Sequence, residues 1–223
     1  PGETLDPAGR LRLLELADSL ECAVIEDAAY QSLRYDGEPV PPVLALELAQ
    51  TGSIAVCRSL YCGSFSKPLS PGLRIGWAVA AKPVITQMVL LKQAADLHSS
   101  TINQMAVHGV AEARFDAHVA QLHAVYQRRR DVMLGALEEH MPEGVSWTRP
   151  EGGMFVWMTL PDRMDGAQLL ARSLETERVA FVPGQAFFAD GSGQNTIRLS
   201  FSNSNHTAIE DGIARLGRLL GYV

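Results

Sequence analysis

Short apolar runs alternate with helical stripes along the first third of the chain. Pro1-Gly2-Glu3-Thr4 reads as the tail of a loop, and Asp6-Pro7 predicts a helix start, with Asp as N-cap and Pro at the first helical position. Leu13, Leu14, Leu16, Ala17 and Leu20 give that helix an apolar stripe. Cys22-Ala23-Val24-Ile25-Glu26-Asp27 is short, nearly continuous and apolar, the pattern of a strand buried on both faces, and it ends on carboxylates. A loop with Tyr30, Tyr35, Gly37 and three prolines leads to a second apolar strand, roughly Ser53 to Tyr61. Ile75 to Ala81 reads as a third.

The pattern then turns helical. Pro83 opens a helix running to about Asp96, and small polar residues interrupt from Leu97 to Thr101. Asn103 to Arg114 and Ala117 to His140 read as two further helices, closed by Pro142-Glu143-Gly144. Arg128-Arg129-Arg130 on the second reads as a solvated face with salt-bridge partners. Strands are expected at Val145 to Arg149, Met154 to Leu160, Val179 to Val182 and Thr196 to Phe201, with a helix near Gly166 to Glu177. Val156-Trp157 looks like core of this region. A last helix is expected from the capping box Thr207-Ala208-Ile209-Glu210. The change of pattern places a domain boundary between residues 115 and 116, giving domains 1–115 and 116–223.

Composition narrows the classes. With 223 residues, 47% of them hydrophobic, the chain can bury a real core. A net charge of -6 without a basic block argues against a nucleic-acid or anionic-membrane surface. Cys22, Cys57 and Cys62 are odd in number and lie in or beside apolar runs, the pattern of a reduced, cytoplasmic protein. His118 and His123 stand five apart, wrong for one helix face, and the remaining histidines are scattered, so no metal site is expected.

The chemistry gathers in Gly63-Ser64-Phe65-Ser66-Lys67-Pro68-Leu69-Ser70-Pro71-Gly72-Leu73-Arg74-Ile75-Gly76-Trp77. Pro68, Pro71 and Gly72 forbid regular structure, so this is a shaped loop between two strands, with two hydroxyls ahead of Lys67 and Arg74 seven residues beyond it. Ligands in doubly wound sheets sit at the carboxyl ends of parallel strands. Asp27 and Lys67 each follow such an end, so their spacing predicts that they face one pocket.

These residues resemble a known family. The chain is similar to the carboxyl-terminal portion of a fold-type I, pyridoxal-phosphate-dependent aminotransferase, in the class I/II branch with the 2-aminoadipate and kynurenine aminotransferases. The likeness runs through Val24 to Tyr30, Gly63 to Trp77, Lys92 to His98, Pro150 to Phe155, Phe181 to Gly184 and Ile197 to Phe201. Ser-x-Ser-Lys with Arg seven residues on and Asp-x-x-Tyr upstream is its specific part. It implies an α/β fold: part of the family's large domain, with a mostly parallel sheet, plus a smaller α+β carboxyl-terminal domain.

By the same resemblance, Lys67 is the lysine that forms a Schiff base with pyridoxal 5'-phosphate and carries the proton, and Asp27 favours a protonated ring nitrogen. Tyr30 is the phenol beside the cofactor's ring oxygen. Ser64, Ser66 and Arg74 cradle its phosphate, and Arg198 binds the substrate α-carboxylate bidentately. The implied partners are an amino acid and a 2-oxo acid, with 2-oxoglutarate the implied acceptor, in a homodimer.

The departures are as telling. The family's first part supplies a helix amino terminus for the phosphate, an aromatic ring over the cofactor and an asparagine on its ring oxygen. None of these is in this sequence. The asparagine of the family's Asn-Pro-x-Gly turn would fall just before Pro1. A fragment holding half of the cofactor site, inactive alone and with a bare sheet edge, is therefore expected.

Two other classes compete. Ser64-Phe65-Ser66-Lys67 also fits the Ser-x-x-Lys of β-lactamase-like acyl transferases, but Pro68 follows immediately and the sequence has no Lys-Thr-Gly. An aminotransferase-like effector-binding domain of a winged-helix regulator would carry a basic winged helix, which this sequence lacks.

Overall fold

The computed structural model describes residues 3–221. Pro1 and Gly2, the start of the expected loop tail, lie outside the described residues. The described residues form two compact units, Leu5–Leu122, and residues 123–221 with 3–4.

The first unit opens with α1 (Pro7–Ser19), whose first turn is closed by Asp6 Oδ1 accepting from the Gly9 amide at 2.7 Å. Only Leu14 and Ala17 of its apolar stripe are buried; Leu16 and Leu20 are exposed. β1 (Val24–Asp27), α2 (Val43–Thr51), β2 (Ser59–Ser64), β3 (Gly76–Val79) and α3 (Lys82–Ala95) follow. The sheet order is β1-β2-β3. β1 and β2 are parallel, with Val24 opposite Ser59 and Asp27 opposite Cys62. β2 and β3 are antiparallel, with Ser64 opposite Gly76.

β2 corrects the expectation of a strand from Ser53 to Tyr61. Ser53 Oγ accepts from the Ala55 amide at 3.3 Å and starts a 3-10 turn over Ile54–Val56, so the strand begins later and runs through Gly63 to Ser64. β1 corrects the expectation of burial on both faces. Its residues alternate between half-buried and exposed, and Ile25 is 73% exposed. Among the described residues, β1 and β3 are the outer strands of the sheet, each paired on one side alone.

Two carboxylates tie the strands to the helices. Glu26 of β1 accepts from the Arg10 guanidinium of α1 at 2.5 Å and from the Val43 amide at the start of α2 at 2.8 Å. Glu47 of α2 is buried and accepts from the amides of Arg58 and Ser59, at 2.8 and 2.9 Å, where β2 begins. Burial opposes the charge of Glu47, but the two amide bonds and the nearby Arg58 outweigh it and hold the carboxyl below its ordinary range.

α4 (Thr101–His140) is one continuous helix of 40 residues, where two were expected. Its residues to Leu122 belong to the first unit and those from His123 to the second. No proline interrupts it near 115, and Asp116, a residue of the capping type, stands within the continuous helix without ending it.

The second unit continues with β4 (Ser146–Trp147), β5 (Phe155–Thr159), α5 (Gly166–Thr176), β6 (Val182–Pro183), β7 (Thr196–Ser200) and α6 (His206–Gly221). Its antiparallel sheet has the order β4-β5-β7-β6. Val156, Met158, Ile197, Phe201, Leu137 and Leu216 form its core, which places Val156 where the sequence reading expected core. The strand expected at Val179 to Val182 shrinks to Val182–Pro183, an edge position that tolerates proline, after Arg178 turns at a φ of 55°.

Two further expectations are corrected. α6 is capped by Asn205, whose Oδ1 accepts from the Ala208 amide at 2.9 Å, and not by Thr207, which lies inside the helix. Of the three successive arginines Arg128, Arg129 and Arg130, Arg130 is buried, donating to the Pro150 carbonyl at 2.8 Å and to Asp131 at 2.7 Å, and Arg129 donates to the Ser202 carbonyl. Three successive helical positions point 100° apart, so they cannot share one solvated face.

Because its ionised form is favoured by folding, Glu47 contributes stability above its unfolded pKa and loses that contribution as pH falls through the folded value. Glu47→Gln is expected to cost about 1–3 kcal/mol at pH 7 in urea unfolding. That difference is expected to shrink as the pH falls below about 4, under the ordinary glutamate value.

Candidate functional site

The parallel register carries the carboxyl ends of β1 and β2 to the same side of the first unit. Asp27 ends β1 opposite Cys62, and the Ala28 amide extends the ladder by donating to the Cys62 carbonyl at 2.9 Å. Asp27 is exposed, with Oδ1 accepting from the Ala29 amide at 3.3 Å. β2 ends two residues past Cys62 at Ser64, so the loop bearing Lys67 leaves the sheet beside Asp27. The chain after Asp27 turns to place Tyr30 under that loop, and Lys67 Nζ stands 5.5 Å from the centre of its ring.

The loop is built from its own hydroxyls and backbone. The Ser66 amide donates to Ser64 Oγ at 3.0 Å, and Ser64 Oγ lies 3.5 Å from the Ile75 carbonyl. The Leu69 and Ser70 amides both donate to the Phe65 carbonyl, at 3.0 and 2.9 Å, curling the chain around buried Pro68. Arg74 takes the left-handed conformation, with φ of 55°, an unusual state for a residue with a side chain. Its exposed guanidinium donates to the Pro71 carbonyl at 3.2 Å, and Asn103 of α4 donates to the Leu73 carbonyl next to it at 3.0 Å.

Aromatic packing locks the loop to its flanking strands. Phe65 meets Trp77 with ring centres 4.7 Å apart and Phe115 of α4 edge-on at 6.0 Å. The Trp77 ring lies across Gly63, where a Cβ would come within 2.3 Å of it. A Cβ at Gly76 would meet the Gly63 carbonyl at 2.9 Å. The two glycines therefore let β2 and β3 approach where the loop begins and ends. An open cleft of about 630 Å³ beside Phe65 and Trp77 is lined by Ser32 and residues 111–117 of α4, and not by Lys67, Asp27, Tyr30 or Arg74.

Asp27, Tyr30, Ser64, Ser66, Lys67 and Arg74 thus all belong to one end of the first unit's sheet. Their donor set is a carboxylate, a phenol, a primary amine, two hydroxyls and a guanidinium, which suits a ring compound bearing an aldehyde, a basic nitrogen and a phosphate. Arg198 belongs to the second unit, on β7, opposite Trp157 of β5 and Val182 of β6. Its guanidinium carbon lies 4.1 Å from the centre of the Phe155 ring and 4.6 Å from that of Phe187. Its Nε is buried and, among the described residues, has no hydrogen-bond acceptor. The sequence reading singled out neither Phe155 nor Phe187 for the site. Neither lies beside Arg198 in the sequence, and each reads equally well as core, so no local signal marked them. No cluster of metal-binding side chains occurs among the described residues.

Comparison with known proteins adds the family. The model for "Aminotransferase class I and II" matches residues 2–216. The 2-aminoadipate transaminase of Thermus thermophilus is 44% identical over 95% of this chain and 52% of its own length. A Pyrococcus horikoshii kynurenine aminotransferase, solved in complex with PMP, superposes with a TM-score of 0.91 at 42% identity, over 99% of this chain and 53% of that one. An uncharacterised HTH-type transcriptional regulator of Bacillus subtilis, YdfD, is 31% identical over 95% of this chain and 42% of its own length. The chain spans about half the length of the curated enzymes it matches.

Gly63→Ala is expected to force the Trp77 ring off the strand and cost about 1–3 kcal/mol in denaturant unfolding. The tryptophan near-ultraviolet dichroism is expected to change with it, while Gly72→Ala, which meets nothing within 4 Å, leaves both measurements close to those of the parent chain.

Proposed function

Since the chain belongs to the class I and II aminotransferase family, we propose that it is the lysine-bearing part of a pyridoxal-phosphate-dependent aminotransferase. The protein transfers an α-amino group from an amino acid to a 2-oxo acid. One observation carries this reading: Lys67, three residues beyond the end of β2, stands over the Tyr30 ring beside the carboxyl end of β1, where Asp27 lies.

When bound, pyridoxal phosphate supplies an aldehyde for exchange between amines and a ring that accepts electron density. Lys67 would hold the cofactor's aldehyde carbon through Nζ, and its free amine would serve as the base that moves the proton at the substrate Cα. Asp27 presents a negative charge that favours a protonated ring nitrogen. The Tyr30 phenol donates to the ring oxygen. Ser64 and Ser66 offer hydroxyls, and Arg74 a planar fork, to the phosphate. Arg198 binds the α-carboxylate.

The finer parts of the reading are proposals as well. The donor is an α-amino acid of the kinds acted on by aminoadipate and kynurenine aminotransferases, with 2-oxoglutarate as acceptor. The large-domain portion ends at residue 115 and the small domain begins at 116. The working form is a cytoplasmic homodimer with neither nucleic acid nor membrane as partner. The net charge of -6 and the three free cysteines support this, as does the absence, among the described residues, of any helix long and apolar enough to cross a membrane. Exposed apolar residues on α3 and α4, among them Leu90, Leu91, Ile102 and Met105, support a larger assembly.

The likeness to a transcriptional regulator favours a second reading, an effector-binding domain that keeps the cofactor fold without turnover. Conversion of an amino acid and 2-oxoglutarate by the full-length gene product supports the enzyme; cofactor binding without conversion supports the regulator.

Incubation with pyridoxal phosphate followed by borohydride reduction and peptide mass mapping is expected to find the cofactor on Lys67. Lys67→Ala is expected to abolish the adduct, and Asp27→Ala to weaken cofactor binding by about 10- to 100-fold. An adduct on a different lysine contradicts the assignment.

A further inference from the structure

Among the described residues, rings and not carboxylates surround Arg198. Phe155 covers one side of its guanidinium and Phe187 approaches at 4.6 Å, while Nε is buried with no acceptor among the described residues. A buried donor left unpaired costs free energy that a structure recovers when an acceptor arrives. Aromatic neighbours attract the cation without using its N–H groups, so the planar fork stays available to a ligand. Phe187 ends a short 3-10 turn, packs edge-on against Trp157 at 5.5 Å, and is 47% exposed, so it is a surface wall of this arrangement and not part of the core.

We propose that Phe187 is a positioning residue for Arg198. Together with Phe155 it fixes the plane of the guanidinium, so that a ligand carboxylate is received edge-on, in that plane, and bulkier or non-planar anions are refused. This rests on the reading of Arg198 as the carboxylate-binding residue. Phe188, which tilts against Trp157 at 6.0 Å without stacking on Arg198, provides the internal control.

The test uses the purified chain and 2-oxoglutarate as probe, followed through the Arg198 Nε–H resonance in nitrogen-15 spectra. In the parent chain that resonance is expected to be shifted by the two rings and to move on titration. Phe187→Leu is expected to lose the ring shift and weaken binding by about 5- to 20-fold, with Phe187→Tyr restoring both to within about twofold. Phe188→Leu, which alters the same aromatic group, is expected to leave the affinity unchanged. Equal affinity in the Phe187→Leu and parent chains overturns the positioning role while leaving Arg198 as the carboxylate site. No saturable binding by the parent chain, or binding unaffected by Arg198→Lys, overturns the reading of Arg198 itself.

Discussion

The parallel pairing of β1 with β2 is the constraint on which the first unit depends. It fixes Asp27 opposite Cys62 and sends the following loop out beside that carboxylate. Four residue pairs of ladder are a slender support for such a placement, and two side chains reinforce it. Glu26 binds Arg10 of α1 and the first amide of α2, and Glu47 of α2 receives the two amides that open β2. β1 is thus tied to α1 and α2 through its own Glu26, one residue before Asp27, and β2 is held at its start by Glu47 of α2. Loss of either carboxylate would leave backbone amides without acceptors, which is the costly way to break such a bond.

The loop between β2 and β3 turns that placement into a site. The Trp77 ring lies against Gly63, the Gly63 carbonyl lies close to Gly76, and the Phe65 ring packs at a tilt on Trp77, so both stems of the loop are clamped. Between them the backbone curls on the Phe65 carbonyl and reaches the left-handed Arg74. The left-handed Arg74 follows Leu73, whose carbonyl accepts from Asn103 of α4, and donates to the Pro71 carbonyl; such conformations persist only where the surroundings impose them. The second unit offers a different kind of preparation. Arg198 lies against two aromatic rings, and its buried Nε has no acceptor among the described residues.

Much of this was legible in the sequence because the local signals agree with one another. Asp6-Pro7 and the strand that ends at Asp27 each have one dominant physical reading, and the structure follows them in position, although β1 is exposed on one face and Pro71–Leu73 forms a 3-10 turn in the loop after Ser64. What was hidden depends on tertiary context. The 40-residue helix α4 serves two units, so its apolar pattern changes although its backbone does not. Arg130 is buried because the Pro150 carbonyl and Asp131 satisfy it, which no spacing reveals. Ser53 to Val56 has strand-like composition, yet a serine cap turns it into a 3-10 turn. Phe187 carries no signal of its own; only its position over Arg198 gives it meaning.

The central claim is that one end of a short parallel strand pair gathers an amine, an acid, a phenol and a guanidinium around one ring compound. A crystal structure of the chain with pyridoxal phosphate tests it most directly. The account predicts continuous electron density from Lys67 to the cofactor, Asp27 at the ring nitrogen, and Ser64, Ser66 and Arg74 at the phosphate. Cofactor bound elsewhere, or bound at Lys67 with Asp27 and Arg74 turned away from it, would contradict it.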